Sequence, residues 1–435
     1  MRAPIVLLTT SASLAIVAAC ASTEGDTALA PEPALDSGAS DTSAPDAAAP
    51  DVDVPDTRIP DCSSAGWCVT SLPSADLDLR DIWPLEDSAF ALAESYVDGV
   101  KFLEWKKSTN AWEFIDDLSQ NGAGSGTFAG GVYAPSADEV YFAVGGSFIY
   151  RGTRAEAKWT WTRTKLPDNI TSHPTTHDHG YFNDGVAQEG RAALGVWGAS
   201  ASAVYAYYSN TIFRRDPGDG SWSTVYTVDE LDADDEHAFF VAASGTGPDD
   251  VWFAGARDRG MGSCPLLVRK TADGWERIAD GTVTSDFFNP CEERAGTLRI
   301  GAGLGGWLTD IRPVSATEYV GLHHVFDMFE GTTKAYLTRI RASESESAVE
   351  QTLIPVQLAQ SARRGILSSL WRGDGETWFT AWGLVLRGAD GAPPFVSSIS
   401  RDGAPVDAPL RKIRGTSNQN LWAIGARHAY HKTNP

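Results

Sequence analysis

Basic residues are scarce in this chain relative to acidic ones, and the imbalance limits what the protein can bind. Lys and Arg together number 35, against 57 Asp and Glu, which gives a formal net charge of −22 at pH 7. An acidic surface repels the phosphates of nucleic acids and anionic lipid head groups. We therefore expect no nucleic-acid partner and no direct docking of the folded part on a membrane.

Motifs of common enzymes are also missing. The sequence has no Gly-x-Ser-x-Gly, no His-Glu-x-x-His and no Gly-x-x-x-x-Gly-Lys nucleotide loop. A glycosidase needs two carboxylates about 5–10 Å apart, and an acidic chain offers too many candidates for the sequence to select a pair. Catalysis is thus left open, and a non-enzymatic role is favoured.

Aromatic residues are absent from residues 21–61, which consist mainly of Ala, Pro, Asp, Ser and Thr. Such a segment cannot bury enough apolar surface to become ordered. Its ten acidic residues against Arg58 give a net charge of −9, so like charges extend the chain. We predict a disordered acidic tether with a reach of roughly 35 Å for a flexible chain, followed by a folded domain over 62–435.

An apolar run from Ala3 to Val17 precedes the tether, but it contains four hydroxyl residues and is short for a membrane span. The following Val17-Ala18-Ala19-Cys20 resembles the lipobox of bacterial lipoproteins, whose cysteine becomes the lipidated first residue after cleavage. The resemblance implies a signal peptide over 1–19 and lipidation of Cys20. Because Ala21 follows the cysteine, the resemblance also implies attachment to the outer membrane of a bacterial cell envelope. An ordinary secretory signal and an uncleaved membrane anchor are the alternatives.

A pair of short strands recurs seven times, as in Gly195-Val196-Trp197 followed by Val204-Tyr205. Aromatic and small residues alternate, with Gly, Pro, Asp and Asn at the bends, which predicts antiparallel strands. The two anchor positions of each pair are always seven or eight residues apart. They are Trp83 and Phe90, Tyr133 and Tyr141, Trp197 and Tyr205, Ser244 and Trp252, Arg312 and Tyr319, Trp371 and Trp378, and Arg414 and Trp422.

A third strand follows each pair, and a fourth often opens with Trp, as in Asn110-Ala111-Trp112. Four strands repeated seven times predict an all-β fold, a seven-bladed β-propeller of four-stranded antiparallel blades. The fifth copy departs from the pattern, because Asp310-Ile311-Arg312-Pro313 replaces Gly-Val-Trp. Most aromatic residues are expected to pack between neighbouring blades and not to bind a ligand.

The last copy ends at Tyr430-His431-Lys432 without a fourth strand. The segment Trp67–Pro73 matches Trp161–Pro167 in its Trp, Thr, Leu and Pro. We predict that residues 67–71 complete the seventh blade beside Tyr430. This closure hides two strand edges that are otherwise unpaired.

Four cysteines remain after Cys20, and they allow three pairings. Cys62–Cys68 and Cys264–Cys291 are favoured because each pair is local in sequence. In a propeller, the loops joining second to third strands share one face with the segments joining successive blades, and we call this the top face. Cys264 opens a third strand and Cys291 lies between blades, so both belong there. Redox-active or metal-binding thiols are disfavoured, since Cys-x-x-Cys is absent.

Three long insertions, 168–190, 281–306 and 323–334, are all expected on the top face. The tether enters on the opposite face, so the top face points away from the membrane. Extended loops gathered on one face are where binding is expected.

Histidines are the chemically suggestive residues of these loops. The candidate top-face contacts are His173, His177, Asp178, His179, His237, His323, His324 and Trp382. Imidazole with carboxylate suits zinc or copper, and the acidic run Asp229–Glu236 suits calcium. Neither arrangement matches a known ligand pattern, so no cofactor is expected and solvated polar loops are favoured.

The repeats Gly-Val-Trp-Gly-Ala-Ser and Gly-Pro-Asp-Asp-Val-Trp-Phe-Ala-Gly, with Asp-Gly-Trp closing a blade, resemble those of bacterial lipoprotein β-propellers. The resemblance implies architecture but no shared activity. The favoured function is a lipid-anchored, monomeric recognition module that binds a protein or a glycan through its top-face loops.

The alternative is a secreted glycosidase of sialidase type, or a metal-dependent hydrolase, acting at the top of the central channel. Arg215–Trp222 resembles a degenerate Asp box of sialidase-type propellers, which is a turn and not an active site. Sialidase-like chemistry also needs arginines converging on the top of the channel. Arg312, Arg372 and Arg414 are instead expected at the lower ends of innermost strands, which counts against this alternative.

Overall fold

The computed structural model describes residues 62–433, with gaps at 123–127, 168–180, 184–185, 189–192, 261, 287, 302–304, 328–329, 343–346, 356–366, 390–391 and 401–405. The described chain is almost entirely β-strand, with one short 3-10 helix at Ser119–Asn121. No helix within these residues has the length and apolar character needed to cross a membrane.

Seven four-stranded antiparallel sheets form the blades of a β-propeller, as predicted. Blades one to three are β2 (Asp78–Pro84), β3 (Ser88–Ser95), β4 (Gly99–Lys106) and β5 (Ala111–Phe114); β6 (Ala129–Ser136), β7 (Glu139–Val144), β8 (Phe148–Ala155) and β9 (Lys158–Lys165); and β12 (Leu194–Ser200), β13 (Ala203–Tyr208), β14 (Thr211–Arg215) and β15 (Trp222–Thr227).

Blades four to six are β16 (His237–Gly247), β17 (Asp250–Arg259), β18 (Gly262–Thr271) and β19 (Gly274–Ala279); β22 (Trp307–Ser315), β23 (Glu318–Asp327), β24 (Thr332–Ala342) and β25 (Ser347–Leu353); and β26 (Ser369–Gly373), β27 (Glu376–Ala381), β28 (Leu384–Ala389) and β29 (Phe395–Ser397). Blade seven is β30 (Leu410–Ser417), β31 (Asn420–Gly425), β32 (His428–Lys432) and β1 (Trp67–Val69).

Two further hairpins lie between blades: β10 (Tyr181–Asn183) with β11 (Val186–Gln188), and β20 (Gly281–Val283) with β21 (Cys291–Glu293).

The first strands of the seven blades contact one another in a closed ring, β2 to β6, β12, β16, β22, β26, β30 and back to β2. They therefore line the central channel. Each of the seven blade-to-blade interfaces has its own buried hydrophobic cluster with residues from both blades. The predicted aromatic anchors are members of these clusters, so they do pack between sheets.

The predicted anchor pairs lie directly opposite each other in six of the seven blades, for example Trp83 with Phe90 and Tyr133 with Tyr141. Blade five is the exception, as its sequence suggested: Arg312 lies opposite Val320 and not Tyr319. The difference comes from an irregularity between Pro313 and Ser315. Such a bulge adds one residue to the inner strand. Arg312 therefore pairs with Val320, eight positions later, which is the separation found in the other bulged hairpins.

The ring closes between the two ends of the domain. Trp67, Cys68 and Val69 pair with Lys432, His431 and Tyr430, which confirms the predicted closure with a strand two residues shorter than expected. Beyond this strand, Thr70 Oγ1 donates to the Ala429 carbonyl at 2.9 Å and accepts from Trp112 Nε1 at 2.9 Å. Thr70 thereby ties the seventh blade to the first.

Candidate functional site

A cleft of about 490 Å³ opens on the top face between blades four and five. Its walls come from the β17–β18 turn, the β20–β21 hairpin, the start of β22 and the β23–β24 hairpin. The lining residues are Asp235, Arg259, Gly260, Gly262, Ser263, Thr284, Ser285, Asp286, Pro290, Gly306, Trp307, Val325, Phe326, Asp327, Lys334 and Tyr336. Two of the three insertions expected to carry binding thus border one cavity, which confirms that they share a face.

A disulfide holds one wall of this cleft in place. Cys264 on β18 is bonded to Cys291 on β21, and Cys62 is bonded to Cys68, so both predicted pairings are confirmed. Gly281 is packed against the first disulfide so closely that a Cβ there would lie 2.6 and 2.8 Å from the two sulfurs. The hairpin can therefore approach blade four only with glycine at this position.

A second glycine shapes the cleft where the chain enters β22. Gly306 has a φ of +106°, and a Cβ there would lie 2.2 Å from the His324 carbonyl oxygen. Its N–H donates to Ser263 Oγ at 2.9 Å. This contact links the inner strand of blade five to the third strand of blade four, directly beneath the cleft.

Aromatic side chains and ion pairs divide the lining into an apolar part and a charged rim. Trp307 is 8% exposed, whereas Phe326 is 48% exposed. On the rim, Arg259 Nε lies 2.7 Å from Asp235 Oδ1 and Lys334 Nζ lies 2.7 Å from Asp327 Oδ2. An aromatic centre with a polar, charged rim is the usual anatomy of a protein-binding surface.

The acidic run Asp229–Glu236, whose composition suits calcium, lies beside this cleft and is largely engaged by arginines. Four of its carboxylates are bound by arginines. The pairs are Glu230 with Arg277, Asp232 with Arg294, Asp235 with Arg259, and Glu236 with Arg257. Arginines far along the chain supply the counter-charges, so the local sequence gave no sign of them.

Arg257 is the centre of this network and is fully buried. Its Nη1 donates to Glu236 Oε1 at 3.0 Å and to the Glu230 carbonyl at 2.7 Å, and its Nε donates to Asp280 Oδ1 at 2.5 Å. Burial alone would lower the pKa of Arg257, but the hydrogen bonds to the two carboxylates raise it overall. The segment before blade four is thereby fastened to the segment that follows it.

The placement of His323 and His324 on an exposed loop is wrong. Both lie inside β23 and are essentially inaccessible to solvent, because the insertion extends β23 and β24 into a longer hairpin. His323 Nε2 bonds to the Gly305 carbonyl at 2.8 Å and His324 Nδ1 to Thr309 Oγ1 at 3.0 Å. Burial lowers the pKa of each to about 4. They support the floor under the cleft and are not surface contacts.

The remaining predicted contacts are dispersed. His173, His177, Asp178 and His179 lie outside the described residues. His237 begins β16 opposite Asp258, whose pKa burial raises to about 7. Trp382 is half-buried on blade six, where its Nε1 donates to Asp407 Oδ1 at 3.3 Å. Among the described residues, no three His, Cys, Asp or Glu side chains are grouped as a metal ion would need.

Two of the three arginines expected at the lower ends of inner strands are placed differently, whereas Arg372 lies near the end of β26 as expected. Arg312 and Arg414 lie within β22 and β30 and not at their lower ends. They converge on the buried carboxylate of Asp310, with Arg414 Nη1 at 3.1 Å and Arg312 Nη2 at 3.4 Å. Despite its burial, Asp310 has a pKa well below the usual range, because of the two guanidiniums. Arg312 is only two residues from Asp310, whereas Arg414 follows it by 104 positions, so the packing of the inner strands around the channel brings Arg414 to this carboxylate.

The lining of the cleft was the part of the site that sequence reasoning missed. Phe326 and Lys334 belong to the blade-five insertion, Tyr336 follows it on β24, and Trp307 begins the strand after the other insertion. The aromatic residues at the borders of both insertions are the sequence signal that would have identified these lining residues.

Comparison with known proteins places the chain by fold alone. No protein-family model matches it, and no curated protein matches it. Among solved structures it is similar to YCF48 from Cyanidioschyzon merolae, with a TM-score of 0.51 and 15% identity over 85% of this chain and 99% of that one. It is also similar to YCF48 bound to D1 peptide, with a TM-score of 0.51 and 13% identity over 85% and 96%.

A chain of the Mitotic Checkpoint Complex matches with a TM-score of 0.50 and 8% identity, over 85% of this chain and 95% of that one. At such low identities the likeness shows the fold and nothing of the activity. The chain is therefore a seven-bladed β-propeller with an elaborated top face.

Proposed function

We propose that this chain is a lipid-anchored protein of the bacterial cell envelope, of the lipoprotein β-propeller type, that recognises a segment of a protein partner in its top-face cleft. The observation that carries the proposal is the cleft between blades four and five, which is lined by the exposed Phe326, the buried Trp307 and two ion pairs. Its volume of about 490 Å³ accommodates a few side chains of an extended peptide.

The leader and the tether support the location. A lipobox ending at Cys20 attaches the chain to a membrane, and Ala21 favours the outer membrane. The propeller acts as a monomer in this proposal.

The choice of a protein segment over a glycan or a substrate rests on the chemistry of the cleft. Its rim presents both signs of charge, through Arg259 with Asp235 and Lys334 with Asp327. Paired rim charges suit backbone and charged side chains of a peptide and give specificity. A propeller similar in fold, YCF48, has been solved with a peptide bound, so the architecture is compatible with this mode of binding.

A displayed library of random peptides, selected against the full chain, tests this proposal. We expect enriched peptides to lose at least about ten-fold in affinity, about 1.4 kcal/mol, on the Phe326→Ser variant. The matched control is Phe395→Ser, which removes a phenylalanine of comparable exposure, 58% against 48%, from β29 of blade six.

A glycan array run with the same three proteins distinguishes the partner class. If glycans bind and their binding depends on Phe326, the partner that the cleft recognises is a glycan and not a peptide. Peptides that bind Phe326→Ser and wild type equally would contradict the proposed site.

A further inference from the structure

The central channel contains a small cavity of about 40 Å³, remote from the top-face cleft and lined by charged side chains. Arg312, Lys412 and Arg414 face it, together with Asp81 and Tyr207. Neither the recognition of a partner nor the closure of the ring accounts for three cations in this enclosed position.

The charges around the cavity do not balance. Arg312 and Arg414 share the single carboxylate of Asp310. Asp81 Oδ2 accepts the Val132 N–H at 2.8 Å, and Tyr207 Oη donates to the Val241 carbonyl at 2.8 Å. Three cations against two carboxylates leave one positive charge in excess.

Lys412 is the residue that carries this excess. Among the described residues it has no hydrogen bond or ion pair, although its side chain is directed into the channel. Burial and the neighbouring Arg414 lower the pKa of Lys412, because both oppose a charged ammonium there. Lys412 is only partly exposed, and the guanidiniums of Arg414 and Arg312 repel its ammonium, so an anion beside it would offset this repulsion.

We infer that the channel binds a small monovalent anion of the size of chloride or formate, held by the Lys412 ammonium and the Arg312 guanidinium. One negative charge neutralises the excess. A water molecule needs about 10–15 Å³ of such volume, so the cavity accepts about three water-sized groups, which matches chloride or formate.

Thermal unfolding of the full chain at constant ionic strength, with sodium chloride replacing sodium gluconate, tests the inference. Chloride that binds only the folded state raises the melting temperature, by about 2 °C at several times its dissociation constant. Lys412→Met should abolish this chloride-dependent rise, and Lys412→Arg should retain it. Lys158→Met, at an exposed lysine of β9, is the control for general salt effects.

Crystals grown with sodium bromide locate the anion directly and do not depend on a variant that folds. We expect an anomalous peak between Lys412 and Arg312. An empty channel in these crystals, or an equal chloride dependence in wild type and Lys412→Met, would overturn the inference.

Discussion

Trp67 lies opposite Lys432, so the first strand of the folded domain pairs with the last. Trp67 is fully buried between blades six and seven, its ring lies 5.9 Å from that of Trp378, and its Nε1 donates to Ser397 Oγ at 3.1 Å. A single residue from the start of the domain thus contributes to the core formed by the end of the chain. The fold depends on this join, because all other blades are continuous in sequence.

Replacing Trp67 with Ala should destabilise the domain by about 3–5 kcal/mol, the cost of removing a large buried aromatic side chain. Urea unfolding followed by tryptophan fluorescence measures the change. Val69→Ala on the same strand is the control, since Val69 is 49% exposed and should cost less than about 0.5 kcal/mol. Equal losses in the two variants would mean that the strand contributes through its backbone alone.

Arg257→Met should cost about 3–5 kcal/mol, because it leaves the buried carboxylate of Glu236 without its cation and removes the hydrogen bonds of Arg257 to Asp280, which keeps its ion pair with Arg277. Arg259→Met is the matched control: its pair with Asp235 is exposed and should contribute less than about 1 kcal/mol. Chemical denaturation of the two variants measures the two losses in the free energy of unfolding. A mild effect at Arg257 would show that the segment before blade four does not need this network.

Removing the Cys264–Cys291 disulfide by a double substitution to Ala should destabilise the domain by about 3 kcal/mol through loop-closure entropy. The corresponding change at Cys62 and Cys68 closes a much shorter loop and should cost about 1 kcal/mol less. Calorimetry of both variants gives the comparison. Because the first disulfide holds the wall of the cleft, its loss should also weaken binding of any cleft ligand, whereas loss of the second should not.

Stability should fall as the pH is lowered from about 6.5 to about 4. His323 and His324 have pKa values near 4 in the folded protein, below the ordinary 6.5, because they are buried. In this window the unfolded chain binds protons that the folded chain does not, so unfolding is favoured as pH falls. His431, with a pKa of about 4, adds to the loss with the same sign.

Each of these histidines contributes up to about 1.4 kcal/mol per pH unit within the window. Urea unfolding at pH 7.5, 6.0 and 5.0 measures the slope, and His323→Gln should reduce it. The glutamine amide can still donate to the Gly305 carbonyl, so stability at pH 7.5 should change less than the slope. A slope unchanged in His323→Gln would show that this residue titrates normally.

Much of the architecture follows from sequence because a propeller repeats one local unit. The spacing from Trp197 to Tyr205 needs only a hairpin and a bulge, and both are encoded within nine residues. The join of β1 to β32 was also predictable, since an incomplete last repeat requires a strand from elsewhere. The spacing alone did not predict the bulge after Pro313, which shifts the pairing partner of Arg312 by one residue.

The site was less predictable because its chemistry depends on partners that are distant in sequence. The run Asp229–Glu236 has the composition of a cation site, yet Arg257, Arg277 and Arg294 reach it across blade four. His323 was expected on a loop because the insertion is long. The extra residues instead lengthen the hairpin of β23 and β24, which contains His323. The pairing of two cysteines, by contrast, was constrained by geometry and could be derived.

Site-specific photo-crosslinking in the intact cell envelope tests whether the cleft between blades four and five recognises a protein partner. A benzophenone amino acid is placed at Phe326 in the cleft or at Phe395 on blade six, and adducts are identified by mass spectrometry. We expect one discrete adduct from position 326 that is absent from position 395 and is lost when Lys334→Glu alters the rim. Adducts that form equally at both positions, or that survive Lys334→Glu unchanged, would contradict recognition by the cleft.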